Sequence, residues 1–180
     1  MHYSQFGLYA VIVLLVGLSM IPMLWPQNRH HTFSQHVARH KIAIAYYIIL
    51  FSIALPLLVL FFYKWFTPHV HASEWLTAFV VLAAITQYAC TLVPETGGKR
   101  ATVHRALAGV SGLCLIPSLL IIMASQINGS ARLICGVALL AMLICLGLVV
   151  KAKGEPRNFL ILQSVYFASF FVPMLYIRYL

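Results

Sequence analysis

The stretch Ile42–Tyr63, IAIAYYIILFSIALPLLVLFFY, decides the fold because it runs for 22 residues without a charged side chain. An α-helix rises about 1.5 Å per residue, so about 20 apolar residues cross the roughly 30 Å hydrocarbon core of a bilayer. A run of this length and uniformity is atypical of a helix in the core of a soluble domain. It therefore predicts a transmembrane helix.

Uncharged runs of similar length lie before and after this stretch. The predicted spans are residues 8–25, 42–63, 75–93, 106–125, 133–150 and 159–177. The connections between them are short, and none has the composition of a linker or a second domain. The sequence thus predicts an all-α polytopic membrane protein, with one domain over residues 1–180 that forms a bundle of six transmembrane helices.

The composition excludes a soluble domain. Of the 180 residues, 62% are hydrophobic and 8% are charged, whereas soluble domains carry about 25% charged residues. The formal net charge is +9, from 12 Lys and Arg against 3 acidic residues. Such an excess can indicate nucleic-acid binding, but the positions of the charges give another explanation.

Most of the basic residues lie in the connections after the first, third and fifth spans. Basic residues near span ends are retained on the cytoplasmic side of a membrane. We therefore predict a cell-membrane protein whose N- and C-termini lie outside the cytoplasm, and no nucleic-acid partner. The residues concerned are Arg29, Arg39, Lys41, Lys99, Arg100, Arg105, Lys151, Lys153 and Arg157.

Two helix starts can be placed from capping signals. Thr32 and Gln35 have the spacing of a capping box, which predicts that the second helix begins near Phe33, before the membrane. Thr102 is expected to cap the fourth helix, after the Pro and Gly residues that end the third span.

Polar side chains deep in the spans are the first candidates for function, because their desolvation cost favours a position facing the bundle. Gln87 and Gln163 both map close to the cytoplasmic edge, where Glu95 and His104 also lie. We predict a cytoplasm-facing, ligand-binding cluster of Gln87, Glu95, His104, Arg105 and Gln163.

Each member of this cluster has an expected role. Glu95 would favour the protonated form of His104. His104 with Arg105 would hold a lipid headgroup or another anion, and Gln87 and Gln163 would offer neutral hydrogen bonds. The alternative is a helix-packing network that binds nothing.

A metal site is an alternative interpretation of the histidines at residues 30, 31, 36 and 40. His36 and His40 have i, i+4 spacing, so their rings would share one helix face. A metal site needs three or four converging ligands, and the further His motifs of membrane di-iron enzymes are missing from the sequence. Haem would need histidines well inside two spans, and none lies there.

Other chemistry is limited by composition. The chain contains no Asp, so neither a Ser/His/Asp triad nor an intramembrane aspartyl pair can form. We therefore predict no catalytic residue, no metal ligand and no cofactor. The four cysteines lie in apolar runs and are predicted to be free thiols.

The stretch TLVPETGGKRATVHRALAG at residues 91–109 carries a resemblance. A span that ends in Pro and an acid, a short Gly-rich basic loop and a His at the next helix resemble a bacterial and archaeal family of six-helix membrane proteins of unknown function. Pro94 and His104 carry the match. The family is similar in layout to the Frag/DRAM/Sfk group, and the resemblance implies an integral membrane location, with a lipid-related role suggested for the family's distant relatives.

Three functions stay open at this point. The first is a non-enzymatic membrane protein that binds, and in one version moves, a lipid or small amphiphile. The second is a structural or accessory subunit of a larger membrane complex, and the third is an enzyme with a His-based metal site. The expected partners are membrane lipids, with a second copy or another membrane protein as an alternative.

Overall fold

The computed structural model describes residues 2–27, 31–152 and 158–179, and all its regular elements there are helices. In chain order they are α1 (Ser4–Leu24), α2 (Phe33–Val37), α3 (Lys41–Phe61), a π-helical turn (Phe62–Phe66), α4 (Thr67–His69), α5 (Trp75–Leu92), α6 (Gly98–Ala124), α7 (Gly129–Lys151) and α8 (Phe159–Arg178).

Among the described residues, six helices are long and apolar enough to cross a membrane. They are Ser4–Leu24, Lys41–His69, Trp75–Leu92, Gly98–Ala124, Gly129–Lys151 and Phe159–Arg178. Many of their large apolar side chains point outward, among them Ile42 at 78% exposure and Leu133 at 70%. Such surfaces are stable against lipid and not against water. The prediction of an all-α, six-span, multi-pass membrane protein is confirmed.

The short helix α2 begins as expected and ends sooner than expected. The Thr32 hydroxyl accepts a hydrogen bond from the backbone N–H of Gln35, and the side-chain oxygen of Gln35 accepts one from the backbone N–H of Thr32, so the capping box is formed. The backbone then leaves the helix, and His40 is extended with φ −126° and ψ 118°. The bend follows from packing, because the apolar side chains of α2, Phe33 and Val37, are buried against α1 and α3.

This break corrects the prediction that the rings of His36 and His40 share one helix face. His36 is 1% exposed and belongs to α2. His40 is exposed and precedes the first residue of α3. The two histidines are therefore on separate elements with opposite environments.

Helix α6 begins before the residue predicted to cap it. Gly97 and Gly98 have φ values of 102° and 57°, the left-handed region that glycine adopts without strain. The helix starts at Gly98, and the Thr102 hydroxyl donates to the Gly98 carbonyl from within the helix at 3.4 Å. The prediction of a Thr102 cap is wrong, because the charged first turns of α6 continue the helix beyond its uncharged run.

The spans pack as a ring in chain order. Helix α1 contacts α3, α3 contacts α5, α5 contacts α6, α6 contacts α7, and α7 contacts α8. Helix α8 closes on α1, where Arg178 Nε donates to the Ser4 carbonyl. Aromatic rings of Phe61, Phe62 and Phe66, all 0% exposed, fill one end of the bundle around the π-helical turn. The polar residues collect at the other end, which contains α2 and Glu95 and is called the Glu95 end below.

Candidate functional site

A cavity of about 800 Å³ opens at the Glu95 end of the bundle. Its walls come from α2, α3, α5, α6, α7 and α8. The five residues predicted to form the polar cluster all line it: Gln87, Glu95, His104, Arg105 and Gln163. The fold thus brings the cluster together around one space, and its role in ligand binding stays a prediction.

Glu95 is the most heavily hydrogen-bonded side chain of the site. Its Oε1 accepts from Arg105 Nε at 2.8 Å and from Gln35 Nε2 at 3.0 Å. Its Oε2 accepts from Ser34 Oγ at 2.9 Å and from Thr32 Oγ1 at 3.3 Å. The carboxylate therefore ties α2 to the loop between α5 and α6 and to the first turns of α6.

These donors also set the ionisation of Glu95. Burial alone would raise the pKa of this carboxyl, but hydrogen bonds from Arg105 and Ser34 outweigh burial and hold the pKa below its ordinary value. The electrostatic interaction with His104 and the hydrogen bond from Gln35 act in the same direction on the pKa of Glu95. Glu95 is therefore a carboxylate at neutral pH, with its acceptor capacity filled by the protein.

His104 is held by contacts within the bundle. Its side chain is 5% exposed, and its Nδ1 lies 2.6 Å from the Val93 carbonyl oxygen, to which it donates. The Nε2 atom lies 3.9 Å from Glu95 Oε2, which is beyond hydrogen-bond distance. The ring is thus fixed by the backbone at the end of α5, and Glu95 contributes charge rather than a direct bond.

Cys90 is a residue that the sequence did not single out. It lines the cavity beside His104, and a thiol next to an imidazole is the arrangement of a cysteine nucleophile. Its Sγ, however, lies 3.3 Å from Nε2 and 3.4 Å from Nδ1. Near-equal distances place the sulfur over the ring face, because an in-plane approach to one nitrogen would leave the other much farther away.

The thiol proton has a different acceptor. Cys90 Sγ donates to the His104 backbone carbonyl at 3.6 Å. A face-on imidazole cannot take that proton along its lone pair. The Cys90 and His104 pair is therefore a packing contact and not a nucleophile with its base.

The two glutamines face the cavity from opposite walls. Gln163 Oε1 on α8 accepts from the Phe33 amide at 3.4 Å, and Gln87 on α5 interacts with the Tyr47 hydroxyl of α3. Within the described part of the chain, neither amide group has another hydrogen-bond partner. Both side chains therefore keep hydrogen-bonding capacity for the contents of the cavity.

Arg105 is the cation at the rim of the cavity. Its side chain is 54% exposed, and its Nε donates to Glu95. Among residues 2–27, 31–152 and 158–179, no other side chain or carbonyl accepts from the guanidinium. The two Nη groups, which form the bidentate edge of arginine, are left for solvent or a ligand.

Beyond this polar end, the cavity continues between α6 and α8. The two helices meet where the Tyr166 hydroxyl donates to the Gly112 carbonyl at 2.7 Å. One turn earlier, the face of α6 is bare, because Gly109 has no heavy atom within 4 Å of the position of a Cβ. The walls here are mainly apolar: Leu113, Cys145, Leu146, Val149, Phe159, Leu162 and Phe167.

The described residues contain no group of three His, Cys or acidic side chains arranged to hold a metal ion. His36, from the predicted metal pattern, is buried with its Nδ1 3.0 Å from the Trp25 carbonyl. His30, another residue of that pattern, lies outside the described residues.

Comparison of the chain with protein-family models, with curated proteins and with solved structures gives no match.

Proposed function

We propose that this integral membrane protein binds a lipid or small amphiphile in the cavity at the Glu95 end, with its polar group at the cluster and its apolar part between α6 and α8. The observation that carries the proposal is that a single cavity has a polar end and a mainly apolar far part. Its polar end contains Arg105, Gln87 and Gln163, and its far walls are mainly apolar. An amphiphile matches both parts, whereas water or a simple ion matches only the first.

The size of the cavity supports this class of ligand. Its volume of about 800 Å³ lies within the range of about 300–1,000 Å³ that is typical of small-molecule sites. A headgroup with one chain fits that range better than a lipid with two full chains. The face of α6 at Gly109 leaves room for the chain, because no heavy atom lies within 4 Å of its Cβ position.

Binding fits the geometry better than catalysis. The Glu95 carboxylate is saturated by four hydrogen bonds, so it has little capacity left to act as a base. The imidazole of His104 presents its face to Cys90. The side chains that keep free donors are Arg105 and the two glutamines, which suit recognition.

We also propose that the cavity faces the cytoplasm and that both termini lie outside it. The support is the charge of the sequence, since nine of the 12 basic residues follow the first, third and fifth spans. The resemblance of residues 91–109 to a six-helix family with lipid-related distant relatives agrees with a lipid ligand.

The experiment uses a variant that fills the cavity. In Gly109→Phe, a ring would occupy the space between α6 and α8. Gly147→Phe is the matched control, because Gly147 is also an exposed helical glycine with no heavy atom near its Cβ position, but it does not line the cavity. Native mass spectrometry of the proteins released from a neutral detergent measures the bound amphiphile.

We expect wild type and Gly147→Phe to carry a bound lipid-sized mass that Gly109→Phe lacks, with all three proteins folded by circular dichroism. Retention of the same mass by Gly109→Phe would show that the ligand lies elsewhere on the bundle. Release of all three proteins without any bound amphiphile would refute the proposal.

A further inference from the structure

We propose that the ligand is an anionic amphiphile with a single chain, whose phosphate or carboxylate headgroup binds the Nη groups of Arg105. This inference rests on the proposed function and specifies the headgroup. Among the described residues that line the cavity, Glu95 supplies the one carboxylate, which is fully hydrogen-bonded, whereas the guanidinium of Arg105 is bonded only through Nε.

A cationic headgroup finds no free counter-charge in the described site. Among the described residues, Glu95 is the only acidic one that lines the cavity, and each of its two oxygens already accepts two hydrogen bonds. A cation would have to displace Arg105, Gln35, Ser34 or Thr32 from a carboxylate that is 4% exposed. Such an exchange loses the contacts that hold α2.

An anionic headgroup, by contrast, meets donors that are already in place. Arg105 offers two Nη groups, and Gln87 and Gln163 offer amide N–H groups from the opposite walls. A guanidinium edge matches the geometry of a phosphate or carboxylate with two parallel hydrogen bonds. Glu95 keeps the guanidinium in a fixed orientation through Nε at 2.8 Å, which leaves the Nη edge directed away from it.

The surrounding basic residues also favour an anionic ligand. Arg39, Lys41, Lys99 and Arg100 are exposed at the Glu95 end, where they raise the local concentration of anions. The nearby carboxylate of Glu95 works in the opposite direction, since it partly neutralises Arg105. Glu95 thus sets the strength of anion binding without touching the ligand.

The experiment compares four probes with the purified full chain in a neutral maltoside detergent. Lysophosphatidic acid carries one chain and a phosphate, and the monoacylglycerol of the same chain is its neutral counterpart. The primary alkylamine of similar length is cationic, and inorganic phosphate has no chain. Dissociation constants from native mass-spectrometric titration give the preference for the anionic over the neutral amphiphile.

We expect lysophosphatidic acid to bind about tenfold or more tightly than the monoacylglycerol, the scale of a charge-assisted hydrogen-bond pair. Arg105→Gln should bring this ratio close to one. Arg105→Lys should leave an intermediate ratio, because lysine keeps the positive charge but lacks the two parallel N–H donors of the guanidinium. Glu95→Gln should raise the ratio, because it removes the charge that competes for Arg105. Lys64→Gln, on an exposed residue of the π-helical turn at the opposite end of the bundle and outside the cavity lining, is the control and should leave the ratio unchanged.

The remaining outcomes separate the two proposals and the two sources of anion. Competition by inorganic phosphate at similar concentrations would assign the site to the free anion, and lack of competition would assign it to the lipid; both support an anion at Arg105. Equal binding of the neutral or cationic amphiphile would overturn the headgroup assignment and keep amphiphile binding. If no chain-bearing probe binds, the proposed function itself fails.

Discussion

At the scale of single residues, Glu95 is the side chain on which the site depends most. Its four hydrogen bonds come from Thr32 at the N-cap of α2, from Ser34 and Gln35 in α2, and from Arg105 in α6. Removing the hydrogen-bond donors of a buried carboxylate destabilises a protein, because the negative charge then stays buried without a partner. The ionised form of Glu95 therefore stabilises the polar end of the cavity.

This dependence predicts how stability changes with pH. The folded-state pKa of Glu95 is below its ordinary value, so its contribution to stability is present above the ordinary pKa and is lost as the pH falls through the lower, folded-state value. We expect the melting temperature of wild type to fall as the pH is lowered below about 4. Glu95→Gln should have a lower melting temperature at neutral pH and a weaker dependence on acid.

Glu74→Gln is the matched control for this prediction. Glu74 is exposed at the other end of the bundle, and its side chain makes no capping hydrogen bond to α5. Its replacement should leave the acid dependence of wild type in place. If Glu74→Gln and Glu95→Gln change the profile equally, the hydrogen-bonded state of Glu95 does not contribute to stability.

At the scale of elements, α1 packs against α3 through a glycine. A Cβ at Gly7 would lie 2.7–2.8 Å from three ring atoms of Phe61. Phe61 is 0% exposed and contacts the rings of Phe62, Trp65 and Phe66. The ring therefore has no free space into which it could move.

We expect Gly7→Ala to lower the free energy of unfolding by about 1–3 kcal/mol, the usual cost of overpacking a core. Gly147→Ala is the control, since no heavy atom lies within 4 Å of its Cβ position, and alanine favours a helix over glycine by up to about 1 kcal/mol. Thermal unfolding in detergent measures both. Equal stability of the two variants would contradict the close approach of α1 and α3.

The sequence predicts the spans well and their ends less well. The six uncharged runs locate the transmembrane helices, because bilayer thickness sets the length that an apolar helix needs, and runs of that length can be found in the sequence. The same criterion misses the first turns of α6, where Lys99, Arg100 and Arg105 continue the helix as charged residues. The capping box places the start of α2, but nothing in it signals the bend at His40.

The sequence predicts the site only in part. Counting residues along each span gives the depth of a side chain in the membrane, but it does not give the neighbours of that side chain on other helices. Counting placed Gln87 and Gln163 near one edge, and the structure brings both to the same cavity. It could not identify Ser34 and Gln35 as partners of Glu95, since that contact depends on how α2 folds back. Cys90 was assigned only as a thiol in an apolar run, because its neighbour His104 belongs to another helix.

At the scale of the whole molecule, orientation decides which compartment the cavity serves. Four native cysteines are free and buried, so an engineered surface thiol is the one expected to react with a membrane-impermeant maleimide. We expect labelling from outside intact cells to reach a cysteine at Ser73 or Ser130 and to miss one at Gly98 or at Gly154, which lies outside the described residues. The reverse pattern would place the cavity on the outer side and refute the charge-based orientation.

Photo-crosslinking tests most directly whether the space between α6 and α8 holds the chain of an amphiphile. The protein is placed in vesicles of neutral lipid with lysophosphatidic acid that carries a diazirine in its chain, and the adducts are mapped by peptide mass spectrometry. We expect adducts on cavity-lining residues such as Leu146, Leu162 and Phe167, which disappear when unlabelled lysophosphatidic acid is added in excess. Adducts spread evenly over outward-facing residues such as Leu15 and Val137, and insensitive to that competitor, would contradict the claim.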